Sequence, residues 1–215
     1  MKKATKQDIE IIKQAFIENY SDAVTELNYR NDYELLIAII LSAQCTDKRV
    51  NIITPALFEK YPSVKELAVA ELEDVKALLN TCSFFNNKSK NIIKMAQSVL
   101  TEYDGEIPHD QKKLMKLAGV GNKTANVFMI EFEQANLMAV DTHVFRVSHR
   151  LGLSDGKTVD ITEADLVKKL KGHDLHIFHQ AMVLFGRYIC KAVKPDCDKC
   201  YFPQVCKSKS GFKPA

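Results

Sequence analysis

Apolar residues in this chain recur every three or four positions, and nowhere do they alternate one by one. Ile9, Ile12 and Ala15 form one such set; Val50, Ile53 and Leu57 another. Leu72, Val75, Leu78 and Leu79 make a third, Ile92, Met95, Ala96 and Val99 a fourth, and Val144, Val147 and Leu151 a fifth. That spacing places each set on one face of a helix. Strand alternation, asparagine–glycine hairpin turns, internal repeats and low-complexity tracts are all missing. The predicted fold class is therefore all-α. The run Leu35–Leu41 is continuous rather than periodic and could be a buried strand. Asn31 or Asp32 as a cap, with Glu34 in the first turn, favours a helix buried on all sides, ending near Gln44. Thr46-Asp47 caps a third helix, which Pro55 should kink or split.

At 215 residues the chain can bury a sizeable core. Its longest apolar run, Leu35–Leu41, falls far short of the ~18 residues a membrane span needs. Met1-Lys2-Lys3-Ala4-Thr5 is basic with no apolar stretch behind it, which is not a signal-peptide pattern. The expected location is the cytoplasm, with no membrane partner. A net charge of +3 says little about nucleic acid, but its distribution says more. Arg187, Lys191, Lys194, Lys199, Lys207, Lys209 and Lys213 face only Asp196 and Asp198 in the same stretch. Such a tail suits a phosphate backbone, or is simply a solvated terminus.

Of six cysteines, four crowd into the pattern Cys190-x6-Cys197-x2-Cys200-x5-Cys206. Four thiolates so close can close on tetrahedral zinc or on a 4Fe–4S cluster. A single C-x2-C flanked by wider gaps, without strands, favours the cluster. Cys45 and Cys82 are assigned to the core or to a groove wall. His173, His176 and His179 drift round a helix and read as surface or packing residues.

Leu117-Ala118-Gly119-Val120-Gly121-Asn122-Lys123-Thr124-Ala125 reads as a tight turn between two short helices. Glycines there permit positive φ and close approach of another backbone. Amide groups pointing outward beside a helix N-terminus would hold a DNA phosphate without reading sequence. Lys123 is either a phosphate contact or, with a depressed pKa, a nucleophile. Ala125, Val127 and Met129 should back onto the core. Eighteen residues after Lys123 comes Asp141, in Val140-Asp141-Thr142-His143-Val144-Phe145-Arg146. It is placed to cap a helix, and a capping aspartate stays fixed and ionised, fit to stabilise a cationic sugar.

Together these pieces resemble the endonuclease III family of the helix–hairpin–helix DNA glycosylase superfamily. The resemblance rests on Glu34–Ala38 leading to Leu41-Ser42-Ala43-Gln44, on Thr46-Asp47 and on Asn91-Ile92-Ile93. It rests further on the L-A-G-V-G-N-K-T-A hairpin, the V-D-T-H-V-F-R-V segment, and Gly186-Arg187-Tyr188 before the cysteine loop. It implies two helical domains with a DNA-binding cleft between them. One is a six-helix barrel over 25–135 carrying the hairpin; the other joins 1–24 with 136–215 and holds a 4Fe–4S cluster on Cys190, Cys197, Cys200 and Cys206. The implied activity is that of a monomeric, nucleoid-associated DNA glycosylase and abasic-site lyase of base excision repair. It would act on double-stranded DNA carrying oxidised pyrimidines or abasic sites and cut 3′ to the lesion by β-elimination. Lys123 and Asp141 match the catalytic pair. Gly119, Gly121, Asn122, Thr124, His143, Arg146 and Arg187 are then expected at the DNA. Gln44 matches a residue that enters the duplex, and Phe84 stands where the family's wedge is usually leucine. Ala118 stands where the family usually has proline. An adenine-mismatch glycosylase of the same superfamily would lack Lys123; a DNA-binding or electron-transfer protein with no catalysis would not need Lys123 with Asp141.

Overall fold

The computed structural model describes residues 3–208, so Lys209 and Lys213 of the basic tail lie outside the described residues. Among the described residues every regular element is helical, and none is long and apolar enough to cross a membrane. The chain divides into two compact units. One is Glu26–Gln134; the other joins the segment up to Thr25 with the described chain from Ala135 onward.

In the first unit the helices are α2 (Asp32–Ser42), α3 (Asp47–Lys60), α4 (Val64–Ala68), α5 (Leu72–Leu79), α6 (Phe85–Glu102), α7 (Gln111–Leu114) and α8 (Asn122–Glu133). These are seven segments where six were expected; α4 and α7 add little more than a turn each. Helix α2 is the centre of the unit. Leu35 to Leu41 are all buried, because α3, α6 and α8 pack around it and leave no polar face. Its start is fixed by Asn31, whose side chain accepts the Glu34 N–H at 2.9 Å. Helix α3 runs through Pro55 unbroken. Pro55 lies on the exposed side, where the Asn51 carbonyl that loses its N–H partner can meet water.

The second unit packs α1 (Lys6–Tyr20) and α9 (Thr142–Arg150) against α11 (Leu175–Tyr188), with α10 (Val159–Lys169) behind α9. Helix α1 starts at a reciprocal capping box, with Thr5 and Asp8 bonding each other's backbone N–H groups. Its Phe16 ring sits at the middle of an aromatic cluster, 6.4 Å from Phe178, 5.8 Å from Phe185 and 4.8 Å from Phe202. Where α9 crosses α11, Gly186 is required: a Cβ there would come within 2.9 Å of the His143 Cβ and 3.1 Å of Val147. Of the three histidines, His179 is buried with its ring nitrogen 2.9 Å from the Ala139 carbonyl, and His173 packs edge-on to Phe178.

Candidate active site and cysteine loop

The hairpin is built from α7, a turn and α8. Leu114, Leu117 and Val120 are buried and seat the turn on the unit. Gln111 reaches across from α7 to the side chains of Asn122, at 3.2 Å, and Asn126, at 2.5 Å. The two glycines serve different ends. Gly119 has φ +81°, and a Cβ on it would come within 3.0 Å of Asn91, so the protein itself demands glycine. Gly121 is extended, at φ −94° and ψ −179°, and a Cβ on it would meet nothing. No internal contact explains Gly121, whose surface is open. Gly121 is the N-cap of α8, and Asn122 and Lys123 follow it, both exposed, with Thr124 half-buried. Lys123 therefore stands in the first turn of the helix rather than after it, beside N–H groups that α8 itself cannot satisfy. The core face of α8 is Ala125 to Phe128 and Ile130, whereas Met129 is half-buried, so the expected Ala125, Val127 and Met129 stripe is corrected. Four consecutive buried residues mean that this helix is packed on more than one side.

Asp141 caps α9, its Oδ1 accepting the Val144 N–H at 2.7 Å. One oxygen is thus fixed while the carboxylate remains half-exposed. Arg146, expected at the DNA, is half-buried and much of its guanidinium is tied to backbone carbonyls. Its Nε donates to the Cys190 carbonyl at 2.9 Å, Nη2 to the Gly186 carbonyl at 2.8 Å and Nη1 to the Thr142 carbonyl at 3.2 Å. Burial, with the charge of Arg150 beside it, draws the guanidinium's pKa below its ordinary value. His143 is half-buried, its Nδ1 3.0 Å from Arg146, and Arg187 is half-buried in the last turn of α11.

Arg150 escaped the sequence reading. Its Nη1 donates to the Lys191 carbonyl at 2.7 Å and lies 3.3 Å from the Cys190 Sγ; Nη2 reaches the Ala192 carbonyl at 3.2 Å. The Phe202 N–H lies 3.3 Å from the Cys200 Sγ. Burial raises the Cys200 pKa, the Phe202 N–H opposes it, and Cys190, Cys206 and Cys197 add to the rise. Cys197 is raised in the same way by burial and then by Cys190 and Cys206. Cys197 and Cys200 thus each feel Cys190 and Cys206, and Cys190 and Cys200 are each offered an N–H donor. Among the described residues, no three histidine, cysteine, aspartate or glutamate side chains converge as a ready single-ion site. The loop is also rooted in the core, through fully buried Phe202 and Val205.

A hairpin whose outer glycine answers to nothing inside the protein, followed by a cysteine loop strapped to a capping aspartate's helix, agrees with the comparisons. Residues 37–171 match the model of the HhH-GPD superfamily base excision DNA repair proteins.

The chain belongs to this superfamily.

Endonuclease III of Rickettsia conorii is 42% identical over 200 residues, covering 93% of this chain and 95% of the relative. Endonuclease III of Escherichia coli K12 is 38% identical over 192 residues, covering 89% and 91%. A solved structure of a trapped endonuclease III–DNA covalent intermediate, an estranged-adenine complex, superposes with a TM-score of 0.91 at 40% identity, covering 96% of this chain and 98% of that one. The chain is thus a base excision repair enzyme, a DNA glycosylase and abasic-site lyase of the endonuclease III type.

Gln44 and Phe84 share a feature that residue type alone did not reveal. Each is exposed and each has a left-handed backbone, at φ 55° and φ 58°. Phe84 is 61% exposed, which excludes a core-packing role. A non-glycine residue held there stores about 1–3 kcal/mol of strain, a feature that clusters at functional sites.

Proposed function

We propose that this enzyme removes oxidised pyrimidines from double-stranded DNA and nicks the strand 3′ to the resulting abasic site, with Lys123 as nucleophile. The observation that carries the reading is the placement of Lys123, exposed in the first turn of α8 directly after Gly121, whose missing side chain leaves an outside backbone free to approach. A similar enzyme has been trapped covalently on DNA, as a lysine nucleophile requires.

The target base first leaves the stack. The Lys123 Nζ attacks C1′ as the C1′–N bond breaks, and the base departs with the bonding electrons and takes up a proton. Asp141, held by its cap bond to Val144, stabilises positive charge on the sugar and assists proton transfer. Opening of the sugar ring gives an iminium at C1′, which acidifies the C2′ proton. Loss of that proton expels the 3′ phosphate and breaks the C3′–O bond; hydrolysis of the iminium then frees the lysine. A hydrolytic water could not supply the iminium, so Lys123 separates a lyase from a simple glycosylase. Gly119, Gly121, Asn122 and Thr124 hold the phosphate; His143, Arg146 and Arg187 contact the backbone, with Arg146 also bracing His143. Phe84 and Gln44 fill the gap left by the extruded base. The enzyme acts as a monomer at the nucleoid, where its substrate is.

The four cysteines, with N–H donors on Cys190 and Cys200, fit a 4Fe–4S cluster, since such donors stabilise ligating thiolates. A bound cluster supplies a rigid brace for the loop, and no step of base removal passes through it. Two experiments test the proposal. Borohydride should trap the wild-type protein on abasic DNA and leave Lys123→Ala untrapped; trapping and nicking by Lys123→Ala would refute the assignment. Metal analysis should find about four irons per chain; one zinc and no iron would refute the cluster.

A further inference from the structure

Lys88 lies in the first turn of α6 and is only 6% exposed. Its ammonium carries three N–H donors, and three acceptors lie in reach. Two are carbonyls at the end of α2, Leu41 at 2.8 Å and Ala43 at 2.6 Å; the third is the Cys82 Sγ at 3.4 Å. The Lys88 backbone N–H meanwhile takes the Phe84 carbonyl at 3.1 Å. Cys82 adds a second tie, its Sγ lying 3.6 Å from the Leu41 carbonyl.

One side chain thus joins the residue just before Gln44 to the turn that carries Phe84. Both flanking residues sit in the left-handed region, a conformation that persists only where the surroundings enforce it. Neither is fixed by a side-chain cap: Phe84 is the N-cap of α6, tied to it through its carbonyl alone, and Gln44 follows the last turn of α2. The carbonyls of that last turn have no intrahelical partners and lie at the negative end of the helix dipole, so a cation is the natural tie.

We infer that Lys88 is a positioning residue for base extrusion, clipping the end of α2 to the turn before α6 so that Gln44 and Phe84 are presented to the duplex as one rigid pair. The inference rests on the wedge role proposed above for those two residues. Lys88 itself touches neither DNA nor the reacting sugar.

The test uses the full chain with Lys88→Met, which keeps the apolar stem and removes the donors, and Lys88→Gln, which keeps amide donors on a shorter stem. Single-turnover excision of thymine glycol from a fully paired duplex should fall about tenfold or more in Lys88→Met, since small misplacements are amplified in rate. Excision by Lys88→Gln should fall between Lys88→Met and wild type. Borohydride trapping on abasic DNA, where no base has to be unstacked, should stay within about twofold of wild type. Unchanged excision in Lys88→Met overturns the inference. So does a parallel fall of excision and trapping, or failure of both variants to fold, either of which marks a structural role only. Phe84→Ala and Gln44→Ala separate the two claims. If they excise normally, the wedge reading fails whatever Lys88 does; if they are impaired while Lys88→Met is not, the clip alone fails.

Discussion

Truncating Phe202 to alanine removes a ring with no exposed surface, inside the loop that carries the four cysteines. The ring lies 4.8 Å from Phe16 and 5.0 Å from Phe185 between centroids, both edge-on. A buried Phe→Ala change costs about 3–5 kcal/mol in transfer energy and cavity. Each edge-on ring pair is worth about 0.5–1.5 kcal/mol beyond area, which places this site in the upper part of that range. For a chain of this length each kcal/mol shifts Tm by about 2–4 °C, so Phe202→Ala should unfold about 8–20 °C below wild type. Circular dichroism at 222 nm gives the Tm, and visible absorbance of the same samples follows any chromophore in the loop. Neighbouring Tyr201 is 41% exposed, so Tyr201→Ala serves as the control and should shift Tm much less. A shift below ~3 °C for Phe202→Ala would show that the loop is held from the cysteines alone and that its aromatic root is incidental.

Three further outcomes follow from the same geometry. Gly121→Ala should lose no more than about 1 kcal/mol, the cost of alanine at an N-cap, yet bind duplex DNA at least tenfold more weakly by fluorescence anisotropy, because the added methyl meets nothing in the protein and, on the hairpin role proposed above, crowds the phosphate. Gly119→Ala should lose about 1–2 kcal/mol in denaturant titration, since alanine is strained at φ +81° and crowds Asn91. Asp8 bonds Lys207 at 2.7 Å, and that bond, followed by the Thr5 N–H, holds its carboxyl below the usual value. A lowered folded pKa contributes stability above the unfolded value of 3.8 that is lost as pH falls through the folded one. Acid titrations below pH ~4 should therefore show a shallower loss of stability for Lys207→Met than for wild type; equal slopes would refute the linkage.

What could be read from the sequence was local. Asn31, Thr46 and Asp141 announce helix starts because a cap and the N–H it accepts lie within three residues. The hairpin and the cysteine loop were visible for the same reason: their chemistry is concentrated in nine and seventeen residues. The Thr5–Asp8 box was equally local and went unread because aspartate replaces the usual glutamate. The long-range ties were hidden. Nothing near Arg146 in the sequence says that its donors go to Gly186 and Cys190. Lys88 looks like one more lysine on an amphipathic helix until α2 is packed against it. Whether Phe84 faces in or out was likewise undecided by type; its backbone and exposure settle that it faces out.

The second unit is assembled from two stretches of chain separated by the whole of the first. During synthesis α1 leaves the ribosome with Ile12 and Phe16 uncovered, since the rings that bury Phe16 are Phe178, Phe185 and Phe202. Residues 26–134 can complete their own core in the meantime. The nascent chain thus carries an orphaned greasy helix through most of its elongation, and a ribosome that stalls before α11 leaves a product marked for chaperones and proteases by its N-terminus.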